Sequence, residues 1–213
     1  MKYKAVLFDM DGTVLDTLTD LYDSVNHSLR HFGLPPASRE TVRAGLGSGA
    51  EHLLRCCMPG QPEETLRAVL AHYLPWYDAH CRIETRPYEG VLPLMERLRA
   101  QGVRLAIISN KPDPAVQELA EAFFPGLLET AVGESAAVRR KPDPDAVLAA
   151  AARMGLPARA CVYVGDSEVD LETARRAGMD CISVAWGFRD EDQLLAAGAA
   201  HVAHDCAELE TLL

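Results

Sequence analysis

The segment AVLFDMDGT, at residues 5–13, is a short apolar run followed directly by two aspartates and a glycine. Because its apolar residues follow one another without alternation, the run is typical of a strand buried on both faces of a sheet. Similar runs recur, each followed by a polar turn and a helical pattern, at 105–108, 161–164 and 181–185, with weaker ones at 130–132 and 201–203. Strands that alternate with helices in this way predict a doubly wound α/β fold with a parallel sheet.

The alternation stops between residues 16 and 85, where the sequence indicates helices only. Proline, glycine and polar residues divide this stretch into four predicted helices, at about 17–33, 38–45, 49–58 and 62–82. An insertion of this length after the first strand predicts two domains. We expect an α/β core of residues 1–15 and 86–213 and a helical domain of residues 16–85, with hinges near 15–17 and 82–88.

The tetrapeptide Lys-Pro-Asp-Pro occurs twice, at 111–114 and at 141–144. In both copies we expect a loop that leads into a helix. The aspartate, Asp113 or Asp143, is the predicted N-cap, and the second proline is expected in the first helical turn.

The composition indicates a globular protein with an acidic surface. The chain has 213 residues, 48% of them hydrophobic, and a net charge of −10 without a stripe of basic residues. We therefore expect neither nucleic acid nor an anionic membrane as a partner. The sequence shows no transmembrane stretch, no signal peptide and no metal-type cysteine spacing, which predicts a cytoplasmic protein with reduced thiols. An anionic ligand then needs a local device, such as a metal ion or helix N-termini.

Polar side chains follow three of the predicted strands at their carboxyl ends, where doubly wound sheets bind their ligands. These residues are Asp9, Asp11, Gly12 and Thr13; Ser109, Asn110 and Lys111; and Asp166 and Asp170. Neighbouring carboxylates can hold a hard divalent cation, and a glycine lets an anion approach the backbone closely. Taken alone, the first cluster is equally compatible with a simple aspartate-rich turn, but two clusters on one edge favour a ligand site.

Four segments resemble, in order, the four signature motifs of the haloacid dehalogenase superfamily, in its phosphatase branch. They are residues 8–17, 107–110, 141–144 and 165–170. The resemblance covers nearly the whole chain and implies a Rossmann-like core with an inserted helical cap. It further implies a phosphatase that acts on a small phosphorylated metabolite.

The resemblance also implies roles for the acidic residues. Asp9 would be the nucleophile that forms an aspartyl-phosphate, and Asp11 the general acid and base. Mg²⁺ would be held by the carboxylates of Asp9 and Asp166 and by the backbone carbonyl of Asp11. Asp170 would not bind the metal itself but would orient these ligands or a lysine.

The remaining implied roles concern the phosphate and the lysines. Ser109 would donate to a phosphoryl oxygen, and Lys141 would bridge Asp9 and the phosphate. Further phosphate or substrate contacts are expected from Gly12, Thr13, Asn110 and Lys111. Composition alone leaves the catalytic lysine open, because Lys111 and Lys141 both precede Pro-Asp-Pro. The family's motif order favours Lys141 and leaves Lys111 to line the mouth of the site.

The glycine-rich residues 45–50 (the glycine loop) open a predicted helix and offer free backbone N–H groups to a small carboxylate. Residues 43–55 also resemble the cap of phosphoglycolate phosphatases, so we expect 2-phosphoglycolate as substrate, bound through Gly47, Ser48 and Gly49. A flexible connection is the alternative interpretation. The segment 186–189 either lines the entrance as well or packs as an aromatic corner.

Alternative activities would require different residues at particular positions of the sequence. A dehalogenase would not need Asp11, and a β-phosphoglucomutase-like phosphomutase would be expected to carry a histidine where Leu18, Thr19 and Asp20 stand. Pyrophosphate, nucleotides and sugar phosphates remain possible substrates. A phosphate-binding module without turnover is disfavoured, because all the proposed catalytic groups are present. The sequence leaves open whether the chain is a monomer or a homodimer.

Overall fold

The computed structural model describes residues 2–213, and its core is a six-stranded sheet in which every pair of neighbours is parallel. In spatial order the strands are β5 (Thr130–Glu134), β4 (Arg104–Pro112), β1 (Ala5–Phe8), β6 (Cys161–Gly165), β7 (Asp180–Val184) and β8 (Val202–Ala203). All six apolar runs of the sequence lie in this sheet. The predicted doubly wound α/β fold is confirmed.

Strand β1 lies in the centre of the sheet and is buried on both faces. Val6 and Phe8 belong to one hydrophobic cluster, and Ala5 and Leu7 belong to another. The helices that cover the sheet are α5 (Val91–Ala100), α6 (Asp113–Phe123), α7 (Asp145–Arg153), α8 (Glu168–Ala177), α9 (Glu191–Ala196) and α10 (Cys206–Leu212). Of the helices within residues 2–213, none combines the length and apolar character needed to cross a membrane.

The inserted helices form a second region, which we call the helical segment. It consists of α1 (Leu18–His31), α2 (Arg39–Ala44), α3 (Ala50–Cys57) and α4 (Glu63–His80). Each helix begins one residue later and ends one or two residues earlier than the sequence predicts. The division of the chain into two separate domains stays a prediction.

A short antiparallel pair of two-residue strands joins the two connections between the helical segment and the sheet. Its strands, β2 (Leu15–Asp16) and β3 (Arg86–Pro87), are antiparallel, and the sequence did not predict them. Next to it, the buried carboxylate of Asp20 accepts hydrogen bonds from the backbone N–H groups of Glu84 and Thr85, both at 2.9 Å, and from the Thr85 hydroxyl at 2.8 Å. The two connections are therefore fastened to each other.

Each predicted helix cap in the Lys-Pro-Asp-Pro segments lies one position from the residue that precedes the helix, which is Pro112 for α6 and Pro144 for α7. Asp113 is the first residue of α6, and its carboxylate accepts from the backbone N–H of Gly133 in β5, at 2.8 Å. Asp143 lies two residues before α7 and accepts from the backbone N–H of Asp145 at 3.1 Å. The Asp113 carboxylate thus bonds the backbone of a neighbouring strand, whereas the Asp143 carboxylate bonds a backbone N–H in the first turn of α7, as a capping side chain does.

Candidate active site

The carboxyl ends of the three central strands bring the predicted site residues together. Asp9 follows β1, Asp166 follows β6, and residues 109–111 lie on β4, which continues to Pro112 rather than ending near residue 108. These charged and polar side chains are all buried. Because burying a charge costs free energy unless it is paired, the partners of each group determine what the site can do.

Lys141 is the cation at the centre of this cluster. Its Nζ lies 2.9 Å from Asp9 Oδ1, 2.8 Å from Asp170 Oδ1 and 3.0 Å from the Tyr163 hydroxyl, so all three of its hydrogens have partners. Burial alone would lower the pKa of Lys141, but Asp170 and Asp9 outweigh it and raise this pKa well above its ordinary value. Lys141 is therefore a permanent positive charge beside Asp9.

The positive charge of Lys141 does not fully offset the burial of Asp9 and the negative charges of the carboxylates around it. Burial, together with Asp170 and Asp11, raises the pKa of the Asp9 carboxyl to about 7, although Lys141 lowers it. One of its oxygens, Oδ1, accepts from the backbone N–H of Met10 at 2.7 Å as well as from Lys141. A further cation would favour the ionised form of Asp9.

Asp166 lies at the floor of the site, where it is bonded by the backbone of Phe188 and approached closely by Gly12 and Gly187. Its Oδ2 accepts from the backbone N–H of Phe188 at 2.6 Å. A Cβ on Gly12 would lie 2.3 Å from Asp166 Oδ2, and one on Gly187 would lie 2.4 Å from the carbonyl oxygen of Gly12. Both positions therefore need glycine. Burial, then Asp170 and Asp9, raises the pKa of Asp166 well above its ordinary value.

The buried carboxylates fit a divalent cation. One oxygen each of Asp9, Asp166 and Asp170 lies within 4.8 Å of the others. Asp170, however, already binds Lys141 through Oδ1 and the backbone and hydroxyl of Ser167 through Oδ2. The oxygens with capacity left for a metal are thus those of Asp9 and Asp166, while Asp170 orients Lys141.

Asp11 lies at the boundary with the helical segment. Its Oδ1 accepts from Lys111 Nζ at 2.8 Å and from the Thr17 hydroxyl at 2.7 Å. Lys111 Nζ also donates to the hydroxyl of Tyr77 in α4 and lies 4.5 Å from the centre of that ring. The two lysines of the repeated tetrapeptide therefore serve different aspartates.

Ser109 and Asn110 line the site and also form hydrogen bonds with neighbouring backbone groups. The Asn110 amide donates to the carbonyls of Gly47 (2.9 Å) and Lys141 (3.0 Å) and accepts from the backbone N–H of Lys141 (2.8 Å). The Ser109 hydroxyl accepts from the backbone N–H of Lys111 at 3.2 Å, which leaves its own hydrogen to donate. Asn110 thus links the glycine loop to the segment that carries Lys141.

A cavity of about 40 Å³ lies between the sheet and the helical segment. From the sheet side it is lined by Asp9, Asp11 and residues 109–112, and from the helical segment by the glycine loop, Tyr73 and Tyr77, among others. By the same measure one water needs about 10–15 Å³. In this conformation the cavity therefore accepts only a small ligand.

The glycine loop is attached to the sheet side through three successive carbonyl groups. Leu46 accepts from Arg189 at 3.0 Å, Gly47 from Asn110 at 2.9 Å and Ser48 from Arg140 at 3.0 Å. Gly47 and Gly49, with φ of +103° and +87°, line the cavity, whereas Ser48 is not among its lining residues. The predicted contact groups Gly12 and Thr13 likewise lie against Asp166 rather than in the cavity.

The segment 186–189 supports the site from outside the cavity. The Trp186 indole donates to the carbonyl of Thr13 at 3.0 Å, and the backbone of Phe188 holds Asp166. Arg189 bonds the glycine loop and Glu168. Of the two interpretations the sequence left open, the packed corner describes this conformation.

Sequence reasoning missed several groups of the site. Tyr73 and Tyr77 are four residues apart, a spacing that places both on one face of a helix, but nothing local shows what that face contacts. Tyr163 lies in an apolar run, where a buried tyrosine hydroxyl that needs a partner was the available signal. Arg140 carried no signal, and Arg189 was included only as part of the segment 186–189, without a predicted contact to the glycine loop.

Comparisons with known proteins agree with this geometry. A family model described as haloacid dehalogenase-like hydrolase matches residues 6–184. A phosphoglycolate phosphatase of Xanthomonas campestris pv. campestris is 34% identical over 198 residues, which cover 90% of this chain and 88% of the relative. The N-acetylmuramic acid 6-phosphate phosphatase of Pseudomonas aeruginosa is 33% identical over 196 residues, covering 88% and 84%. A crystal structure from Lactobacillus delbrueckii subsp. bulgaricus, provisionally named a phosphoglycolate phosphatase, has a TM-score of 0.93 and 38% identity and covers 100% of this chain and 98% of its own.

Proposed function

This chain belongs to the haloacid dehalogenase-like hydrolase family and is a phosphatase, and we propose that it uses Mg²⁺ and an aspartyl-phosphate to hydrolyse 2-phosphoglycolate. The observation that carries the mechanism is the arrangement of Asp9 and Asp11. Both carboxylates line one small cavity, and each is paired with its own buried lysine.

We assign the nucleophile to Asp9. Its Oδ1 is occupied by Lys141 and the Met10 N–H, so Oδ2 is the oxygen that attacks phosphorus. The new bond joins Asp9 Oδ2 to phosphorus as the bond from phosphorus to the ester oxygen breaks. Lys141 stays beside Asp9 and offsets the charge that collects on the phosphoryl oxygens.

Asp11 is the general acid and then the general base. Thr17 and Lys111 both bind its Oδ1, which leaves Oδ2 to give a proton to the departing alkoxide. The same oxygen then takes a proton from the water that attacks the aspartyl-phosphate, which releases phosphate and restores Asp9. The Ser109 hydroxyl donates to a phosphoryl oxygen in both steps.

Mg²⁺ would be held by the carboxylates of Asp9 and Asp166 and by the Asp11 carbonyl. When bound, it neutralises part of the charge of these carboxylates and of the phosphoryl group. The raised pKa values of Asp9 and Asp166 support this assignment, because each buried carboxylate lacks a full counter-charge from the protein.

The mechanism is tested by phosphate release from 2-phosphoglycolate with Mg²⁺ and with a chelator, in the wild type and in Asp9→Asn. We expect turnover only in the Mg²⁺-loaded wild type. Acid quenching during turnover and peptide mapping should place the phosphoryl group on Asp9. A phosphoryl group on Asp11, or full activity in Asp9→Asn, would overturn the assignment.

The substrate proposal rests on the relatives and on the size of the cavity. A cavity of about 40 Å³, with room for about three waters, favours a two-carbon phosphorylated acid over a much larger phosphorylated amino sugar. A panel that compares 2-phosphoglycolate with N-acetylmuramic acid 6-phosphate, sugar phosphates, nucleotides and pyrophosphate tests this choice. Higher kcat/KM for any of the larger esters would contradict it.

We also propose that residues 16–85 act as a cap domain that opens by a hinge motion at the paired strands β2 and β3. Both connections pass through this strand pair, and Asp20 fastens them together. Hydrogen exchange tests the motion: bound phosphate and Mg²⁺ should slow exchange in the glycine loop and leave β1 unchanged. Equal exchange in the loop with and without ligand would contradict it.

A further inference from the structure

Helix α4 presents two tyrosine side chains to the cavity. Tyr73 and Tyr77 lie one turn apart, with their rings parallel within 4° and their centres 5.5 Å apart. Each residue is only 1% exposed, and both line the cavity together with Asp9, Asp11 and Lys111. The wall opposite the reacting groups thus carries two phenol hydroxyls.

Both hydroxyls have a hydrogen to donate and no protein group to receive it. Tyr77 Oη accepts from Lys111 Nζ, and within residues 2–213 no group accepts a hydrogen bond from the hydroxyl of Tyr73 or Tyr77. Burial raises the pKa of both phenols well above the ordinary value, so they remain protonated. Because both residues line the cavity, these donors are available to a ligand with acceptor oxygens.

Lys111 adds a positive charge at the same place. Its Nζ binds Asp11 and Tyr77, which uses two of its three hydrogens and leaves one for a ligand. It also touches the carboxylate that protonates the ester oxygen. An anion bound by Lys111 therefore lies close to the ester oxygen. The carboxylate of a short phosphorylated acid meets this condition, because only a few covalent bonds separate it from the ester oxygen.

We propose that Lys111 and the hydroxyls of Tyr73 and Tyr77 form a carboxylate subsite, which selects phosphorylated short-chain carboxylic acids over uncharged phosphate esters. This inference rests on the proposed function and names the groups that recognise the acid end of the substrate. The glycine loop is the competing location. Its carbonyls at residues 46–48 are bound by donors of the sheet side, and it offers a carboxylate only backbone N–H groups.

The test compares two esters of similar size, 2-phosphoglycolate and ethyl phosphate, which differ in the carboxylate. kcat/KM is measured for both in the Mg²⁺-loaded wild type, Tyr73→Phe and Tyr77→Phe. Each phenylalanine keeps the stacked ring and removes only the hydroxyl. Tyr22→Phe in α1, outside the cavity lining, is the matched control, and thermal melting verifies that every variant is folded.

We expect the wild type to prefer 2-phosphoglycolate. Tyr77→Phe should lower this preference about tenfold or more, mainly through KM, because a hydrogen bond to a charged group is lost. Tyr73→Phe should act in the same direction, and Tyr22→Phe should leave the preference unchanged. Gly49→Ala should not change the preference selectively.

The inference would be overturned if both esters lost activity in parallel in the tyrosine variants, or if the preference survived in both. A selective loss in Gly49→Ala alone would move the carboxylate to the glycine loop. A wild type that hydrolyses both esters equally would refute the subsite while leaving the phosphatase mechanism intact. Absence of any ester hydrolysis would instead refute the proposed function.

Discussion

The two Lys-Pro-Asp-Pro segments have the same four residues and different surroundings. Lys141 is bound by Asp9, Asp170 and Tyr163, which all belong to the sheet and the elements that follow its strands. Lys111 is bound by Asp11 and by Tyr77 of the helical segment. Exposure does not distinguish them, since the two lysines are 4% and 5% exposed.

The backbone differs as well, because Lys111 lies in a strand that leads directly into α6, whereas Lys141 lies in a loop before α7. Distant residues, and not the shared tetrapeptide, therefore determine the partners of each lysine. Lys141 is enclosed by rigid elements of the core, so its position is independent of the substrate. Lys111 lies between core and helical segment, so its partners depend on what occupies the cavity. We expect the first lysine to act on chemistry and the second on substrate choice.

The largest effect should come from Lys141→Met, which removes the charge beside Asp9 but keeps a side chain of similar length. We expect kcat to fall about 10³-fold, a loss typical of removing a group that stabilises transition-state charge. The loss should be equal for 2-phosphoglycolate and p-nitrophenyl phosphate in steady-state assays with saturating Mg²⁺. A kcat within tenfold of the wild type would remove the distinction between the two lysines.

Lys111→Met should act chiefly on KM, and more strongly for substrates that carry a carboxylate. For 2-phosphoglycolate we expect kcat/KM to fall about 100-fold, because a charge-assisted contact to the carboxylate is lost. For ethyl phosphate the loss should be several times smaller. Lys141→Met provides the control, since there both esters fall together. The same pattern in both variants would mean that the lysines share one role.

The stability of Asp9→Asn tests how completely Lys141 balances the buried charge. The pKa of Asp9 is raised to about 7 in the folded protein, so its contribution to stability is largest at acid pH and is lost as the pH rises through 7. Without metal, Asp9→Asn should therefore raise the free energy of unfolding by about 4 kcal/mol at pH 8. Near pH 4 the gain should vanish.

Urea unfolding in a chelator at both pH values measures this difference. Adding Mg²⁺ should stabilise the wild type at pH 8 more than the variant, because the variant has lost one ligand. A variant that is less stable than the metal-free wild type at pH 8 would show that Lys141 already neutralises Asp9 fully.

The smallest effect should come from Tyr163→Phe, which removes one of the three partners of Lys141. The Tyr163 hydroxyl also donates to the Ile108 carbonyl at 2.7 Å. We expect kcat to fall about fivefold with KM unchanged, as for a hydrogen bond worth about 1 kcal/mol. A change confined to KM would place Tyr163 in substrate binding and would contradict the separation of the two lysines.

The sheet could be predicted because its evidence is local. Each strand is an apolar run bounded by turns, and the polar residues after these runs necessarily meet at one edge. Asp9, Ser109 and Asp166 were predicted in this way, whereas Lys141 was predicted from the family's motif order.

The rest depended on contacts that no local pattern contains. The contact of Lys111 with Tyr77 joins residues 34 apart and requires the rotation of α4 about its axis. Thr17 precedes α1, yet its hydroxyl bonds Asp11 instead of capping the helix. Asp113 was predicted to cap α6, but a neighbouring strand offers it a better-placed N–H.

The attachment of the glycine loop has a consequence for the equilibrium of the free protein. Opening the helical segment as a unit would break the three hydrogen bonds from Arg189, Asn110 and Arg140, as well as others such as that of Arg43 to Asp190. At about 1 kcal/mol each, the three bonds of the loop alone would keep the open form below roughly one molecule in a hundred. An ester too large for the closed cavity binds only that minority, so its apparent affinity falls by about the same factor. The equilibrium between the closed and open forms of the free protein would then by itself disfavour large phosphate esters, before the active-site groups contact any substrate.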